Sequence, residues 1–410
     1  MKALVLAGGF PQIALINELK KRDIFVVLAD YYEEPVAMRY ADKFYCVSTL
    51  DVDAIEEVAR HEQVDFLITV CTDQALLTVA LVSERLGLPC YIDSQTALNV
   101  TNKGYMKKVF VEHGIPTAKH MILHDYDNRC LDLDYPLVVK PVDCNSSKGV
   151  RKVTTDDELK EAIADATTFS RTETAIIEEY IEGTELSVDV YVEKGVAYVL
   201  CISSSDKVAD RGKFVIFRGN YPAEGFEGVR GEIEMIVQQI ASSFELEDTP
   251  MLVQFIRRDD KVFVLEFSAR TGGGAKHLMI KKASGFDVIS AVVDLTLGAK
   301  PHVGEMREES KYISNEFVYC RPGTFDHLEG FEDLKADGVI SAYYLFKCKG
   351  VELGKVASSG DRICGFTIQG DTREEMIRKH NEVASRIKVI DVNGKDIMRH
   401  DLLTDLYSEC

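Results

Sequence analysis

Residues 135–150 read YPLVVKPVDCNSSKGV, an apolar run that ends on Lys140 and opens into a small, polar, glycine-containing turn. The run reads as a β-strand. A lysine at its end, followed by Asn145, Ser146, Ser147, Lys148 and Gly149, lets backbone N–H groups, hydroxyls and ammonium groups converge on one anion. The spacing G-x-x-x-x-G-K-[ST] is absent, so this is not a P-loop. A solvated lysine ahead of an ordinary turn would be spelled the same way, so the neighbouring segments have to decide.

Downstream, residues 176–189 read IIEEYIEGTELSVD, an apolar strand with acidic residues at its end. A planar base could rest on the apolar part, and a carboxylate could accept hydrogen bonds from ribose hydroxyls. The alternating ELSVDVYV that follows is a further strand. Residues 251–267, MLVQFIRRDDKVFVLEF, read as a hairpin turning at Asp259 and Asp260. Gln254 lies on its first strand. Glu266, Ser268 and Arg270 alternate along the second, so they share a face. Hard oxygen donors beside an arginine suit Mg²⁺ bridged to phosphates, and equally suit a cross-strand ion pair.

The chain begins as an alternation of strands (Lys2 to Leu6, Ile24 to Ala29, Asp65 to Val70) with helices (about Gln12 to Arg22, Asp53 to His61), which makes a parallel α/β sheet. AGGFPQIA at residues 7–14 lacks the third glycine of a dinucleotide fingerprint, so it reads as a tight turn. One helix is expected from about Ser94 to His113. Beyond residue 300, strands are expected at Ala342 to Cys348 and Gly365 to Gln369, and a final helix near Thr372 to Lys388.

Taken together, the order of lysine, lysine with small-residue loop, acidic hinge, carboxylates and arginine resembles the ATP-grasp superfamily. LADYYEEPVAMRYAD at residues 28–42 is similar to its purine-biosynthesis members and to biotin carboxylase, which with carbamoyl phosphate synthetase belong to that superfamily. SSGDRICGFTIQGDTREEM at residues 358–376 looks like the small β-rich domain that closes those enzymes. The resemblance implies an α/β chain in three parts: an N-terminal doubly wound parallel-sheet domain (1–93), an ATP-grasp domain (94–298) with a lid of about 117–182, and a C-terminal α+β domain (299–410).

The resemblance also implies roles. Lys103 and Lys140 would contact phosphates, with Lys107 a weaker claimant to the first position. Asn145 to Gly149 would form the lid loop, with Lys148 and Arg270 acting on the reacting phosphate. Glu178, Glu179 and Ile181 would form the adenine hinge, and Glu185 would hold the ribose. Gln254 and Glu266 would bind metal together with Ser268, which stands where the superfamily usually has Asn. Gly272, Gly273 and Gly274 resemble the loop by which amino-acid-ligating members approach a carboxylate. Arg211, Lys213 and Lys276 are weaker anchors for an anionic substrate. The cofactors implied are ATP and Mg²⁺, with Mn²⁺ as an alternative ion. The activity implied is a carboxylate–amine ligase that forms an acyl phosphate and releases ADP and phosphate. Two alternatives stay open: a bicarbonate-activating or carbamoyl-phosphate-type enzyme, and a nucleotide-binding subunit without catalysis.

Composition bounds these readings. Over 410 residues, 46% hydrophobic and 28% charged residues are the balance of a globular protein of two to three domains. A net charge of -19 disfavours nucleic acid as a partner. No apolar run approaches a membrane span, so no membrane association is expected. Ten cysteines without close spacing fit reduced thiols and a cytoplasmic location. The expected partners are small-molecule carboxylate and amine substrates, with a homo-oligomer left open.

Overall fold

The computed structural model describes residues 1–126, 132–144, 148–210, 213–403 and 406. At the N-terminus, strands Lys43–Cys46, Phe25–Asp30, Lys2–Leu6 and Phe66–Ile68 lie side by side in that order, all parallel. Helices Phe10–Lys21, Val52–Glu62 and Asp73–Leu86 cover the sheet. The first helix starts where Pro11 sits in its first turn, a position whose N–H would go unused anyway. The second is capped by the Asp51 side chain, which accepts from the N–H of Ala54. The strand expected at Asp65 to Val70 is confined to Phe66–Ile68.

The single helix expected from Ser94 to His113 is two helices, Ser94–Asn99 and Lys103–Glu112. Asn102 is the reason: its side chain accepts from the N–H of Tyr105 at 3.0 Å and starts a new helix. That break puts Lys103 in a first turn and Lys107 one turn further on the same face.

Next comes a small antiparallel sheet ordered His120–Leu123, Ala175–Glu179, Leu137–Pro141 and Arg151–Val153. Helix Asp156–Phe169 packs on it through Leu159, Ala162, Ile163 and Ala166, all buried. The largest sheet has eight strands, ordered Lys261–Ser268, Thr249–Arg258, Thr184–Glu193, Val196–Asp210, Lys213–Tyr221, Tyr312–Val318, Cys364–Gly370 and Ala342–Leu345. The hairpin turns at Asp259 and Asp260, with Asp259 at φ 55°.

The C-terminal segment adds its own three-stranded sheet, Glu352–Leu353, Gly323–Glu329 and Lys388–Asp391, and helix Arg373–Arg386. Its strands Tyr312–Val318, Cys364–Gly370 and Ala342–Leu345 nevertheless continue the central sheet. The strand expected at Ala342 to Cys348 ends at Leu345. Buried Arg218 on the central sheet donates from Nε to Glu316 at 2.6 Å and meets His380 of the C-terminal helix at 3.0 Å, fastening that helix down.

Candidate active site

A cleft opens between the small sheet and the central sheet. Val138, Lys140, Glu178 and Glu179 line it from one side, and Glu185, Lys207, Ile216, Gln254, Ile256, Leu265 and Glu266 from the other, with Lys103, Ala118, Cys144, Val150, Tyr180 and Ile181 completing the wall. The register of the small sheet pairs Val138 with Glu178, so Lys140, two residues on, shares the face of Glu178. The Lys140 ammonium donates to Glu178 Oε2 at 2.8 Å. Lys107 approaches the other carboxylate oxygen at 3.2 Å, and both Lys107 and Glu178 are almost fully buried.

This buried trio sets its own ionisation. Burial pushes the Glu178 carboxyl up, but Lys107 and Lys140 outweigh it and bring it down to about 2. Burial and the like charge of Lys140 hold Lys107 below the ordinary lysine range against the pull of Glu178. For Lys140, burial is overcome by the carboxylates of Glu178 and Glu266, which raise it. Glu178, expected at the adenine hinge, thus directs its carboxylate to the two lysines. Glu179, Tyr180 and Ile181 supply the cleft wall at that corner.

On the central sheet, Gln254 stands opposite Glu266 and Leu252 opposite Ser268. Glu266 lies 3.4 Å from Lys103 Nζ, which also donates to the Cys144 carbonyl at 2.7 Å. Burial opposes ionisation of Glu266, but Lys103 and Lys140 keep it below the ordinary carboxylate range. Gln254 donates to Glu185 Oε1 at 3.3 Å, and Lys207 pairs with the other oxygen of Glu185. Eight of the residues singled out in the sequence therefore meet in one cleft: Lys103, Lys140, Glu178, Glu179, Ile181, Glu185, Gln254 and Glu266.

Others lie elsewhere. Lys148 points at the ring of Phe169, 5.2 Å from its centre. Gly149 has φ +72°, and a Cβ there would come within 2.8 Å of Phe169 and 2.9 Å of Pro141, so only glycine fits that turn. Asn145, Ser146, Ser147 and Arg211 fall outside the described residues, as does the Lys213 side chain. Arg270 and Ser268 do not line the cleft but lie beside its Glu266 end, with Arg270 in electrostatic reach of Glu266 and Ser268 hydrogen-bonding the Asp73 carboxylate. Lys276 is engaged by the hydroxyl of Ser203 and lies 3.6 Å from Asp189.

Sequence reading missed Asp73 and Lys207, and offered Lys107 only as a weaker claimant to a phosphate contact. Asp73, on the first turn of its helix, forms a two-point ion pair with Arg270. Lys107 and Lys207 supply counter-charges to Glu178 and Glu185. The only local signal for Asp73 was an acid at a helix start, a common feature with no ligand implied.

The donor set can be tested against the groups it would hold. Among the described residues no cluster of three His, Cys, Asp or Glu side chains is poised on a metal. A cation beside Glu266 and Gln254 would have to take further oxygens from phosphates, which is how Mg²⁺ is usually carried. Apolar walls at Ala118, Val138, Ile216, Ile256 and Leu265, combined with ammonium groups at Lys103, Lys140 and Lys207, fit a planar base with an anionic tail.

Comparison with known proteins bears on the same residues. Residues 133–277 match the family model for an ATP-grasp domain, and residues 316–391 match L-amino acid ligase C-terminal domain 2. The chain is 29% identical over 188 residues to the formate-dependent phosphoribosylglycinamide formyltransferase of Ignicoccus hospitalis, covering 44% of this chain and 46% of that one. It thus spans about half the length of the curated relatives first matched. Among solved structures, the L-amino acid ligase of Bacillus licheniformis superimposes with a TM-score of 0.79 at 20% identity, over 95% of this chain and 98% of that one. The biotin carboxylase domain of the Hydrogenobacter thermophilus 2-oxoglutarate carboxylase, solved with MgADP and bicarbonate, gives a TM-score of 0.78 at 15% identity, over 98% and 92%. The fold is that of these neighbours.

Proposed function

We propose that this chain, an ATP-grasp domain continued by a C-terminal segment of the L-amino acid ligase type, is an ATP-dependent carboxylate–amine ligase that releases ADP and phosphate. The observation that carries this is the cleft itself, in which Lys103, Lys140 and Glu266 converge beside apolar walls between two sheets. In this reading the base lies against Val138 and Ile256, the hinge Glu179 to Ile181 borders it, and Glu185 faces the ribose. Mg²⁺ carried by the nucleotide would rest on Glu266 and Gln254 and offset phosphate charge.

The protein needs no covalent nucleophile. Its work is positioning and electrostatics. A carboxylate oxygen of the first substrate forms a bond to the γ-phosphorus as the bond to ADP breaks. The amine then attacks the acyl carbon, the phosphate departs with that oxygen, and the amine loses a proton. Glu178 serves by fixing the Lys140 ammonium at the phosphates, and closure of the small sheet keeps water from the acyl phosphate. The match at residues 316–391 supports an amino acid over bicarbonate as the acid activated.

A phosphate-release screen with ATP, Mg²⁺ and pools of amino acids, other carboxylates and bicarbonate finds the substrate. The acid that responds, labelled with ¹⁸O in its carboxylate, should deliver one labelled oxygen to the released phosphate. AMP and pyrophosphate as products would sink this reading, as would unlabelled phosphate.

A further inference from the structure

Arg270 and Asp73 lie 197 residues apart in sequence, one just beyond the central hairpin and the other at the start of a helix in the N-terminal parallel-sheet unit. Arg270 donates from Nε to Asp73 Oδ1 at 2.7 Å and from Nη2 to Oδ2, while Nη1 donates to the Thr271 carbonyl at 2.7 Å. A guanidinium has five N–H groups. Among the described residues three are thereby taken, and the other two meet no acceptor.

The carboxylate is itself fixed. Asp73 sits in the first turn of helix Asp73–Leu86, where the helix dipole favours a negative charge, and the Ser268 hydroxyl bonds it from the hairpin. The segment leading into that helix is tied down by Gln12, which donates to the Val70 carbonyl at 2.7 Å. The loop after Arg270 is held from its far side as well. The N–H of Gly272 donates to Asp189 Oδ1 at 3.3 Å, and a Cβ at Gly272 would come within 2.8 Å of that oxygen.

We propose that Asp73 is a positioning residue for Arg270: it occupies one edge of the guanidinium and so aims the two remaining N–H groups at the group undergoing transfer. The proposal rests on the ligase reading for the identity of that group, though not for the pairing. It gives Ser268 a task other than metal binding, since a hydroxyl committed to Asp73 steadies the acid that steadies the arginine. It also makes the N-terminal unit part of the reactive apparatus. A fork held in advance needs no reorganisation when charge develops opposite it.

The test uses the full chain with ¹⁵N-labelled arginine. The Arg270 Nε–H resonance, assigned by its absence in Arg270→Lys, should be protected from exchange in the wild type and lose that protection in Asp73→Asn. With the substrates found by the screen, Asp73→Asn should lower kcat about 10²-fold, the scale of a misaimed catalytic group, while calorimetric ADP affinity stays as in the wild type. The double variant with Arg270→Lys should be no slower than the slower single variant, because the two residues act as one unit. Ser268→Ala, which removes only a hydroxyl, should show the same effects in smaller degree and covers the case in which Asp73→Asn does not fold. An Arg270 resonance indifferent to both substitutions, or strictly additive losses, would overturn the proposal. A wild type that turns over none of the acids would overturn the ligase reading instead, with the resonance still deciding the pairing.

Discussion

Replacing Glu178 with Gln removes one negative charge from between two buried ammonium groups and changes almost nothing in shape. The carboxyl is lowered from an ordinary 4.5 to about 2. At about 1.4 kcal/mol per unit of pKa, that places roughly 3 kcal/mol of stability in the ionised form at neutral pH. The sign follows from a depressed folded-state value: the contribution is complete above about 4.5 and is lost as pH falls toward about 2. Breaking a buried pair from one side costs about 3 to 5 kcal/mol, which agrees. Urea unfolding at pH 7 should therefore show Glu178→Gln less stable by about 3 kcal/mol, with the gap to wild type narrowing as pH drops below about 4.5. Adding Lys107→Met should recover part of the loss, because the ammonium stranded by Gln is then gone. A loss below about 1 kcal/mol, the range of exposed pairs, or a gap independent of pH, would refute the assignment of Glu178 as the counter-ion of both lysines.

Two further substitutions probe other parts of the cleft. Glu266→Gln should spare ADP affinity measured without metal and raise the Mg²⁺ concentration needed for half-maximal turnover; an unchanged Mg²⁺ dependence would remove Glu266 from the metal. Gly183→Ala should destabilise by about 1 to 3 kcal/mol, the usual cost of overpacking, since a Cβ there would lie 2.2 Å from the Arg257 carbonyl oxygen; a melting temperature equal to wild type would show that the strand after the hinge can shift to make room.

What could be read from the letters was local. Lys140 stands one residue from the end of its own strand, and Asp259 and Asp260 turn their own hairpin. Glu266 was likewise legible within ten residues of itself, whereas the alternation expected to carry on to Arg270 stops at Ser268, where the strand ends, and only Glu266 of the three lines the cleft. The counter-charges were not. Lys107 and Lys207 look like any lysine on a helix or strand, and they acquire roles only when the sheet register brings Glu178 and Glu185 to them. Asp73 needed a contact across 197 residues. The Asn102 cap was a local signal that could have been used, since Asn ahead of a charged, amphipathic run is a standard helix start. The continuation of the central sheet into residues 312–370 had no such signal, because hydrogen-bonded strand neighbours leave no mark at fixed spacing.

That continuation limits how the chain can be cut or recombined. Strand Lys213–Tyr221 has Val196–Asp210 on one side and Tyr312–Val318 on the other, with Arg218 opposite Glu316. A truncation before Tyr312 would bare the backbone donors and acceptors of Arg218 to Tyr221 that now pair with Ile313 to Glu316, a ready template for another chain. It would also strip buried Arg218 of its Glu316 partner. A chimera that exchanges the C-terminal segment at a loop near residue 299 would meet the same difficulty, because the foreign piece must supply a strand in matching register. The segment behaves as the far half of one sheet, and any graft has to be designed across that seam.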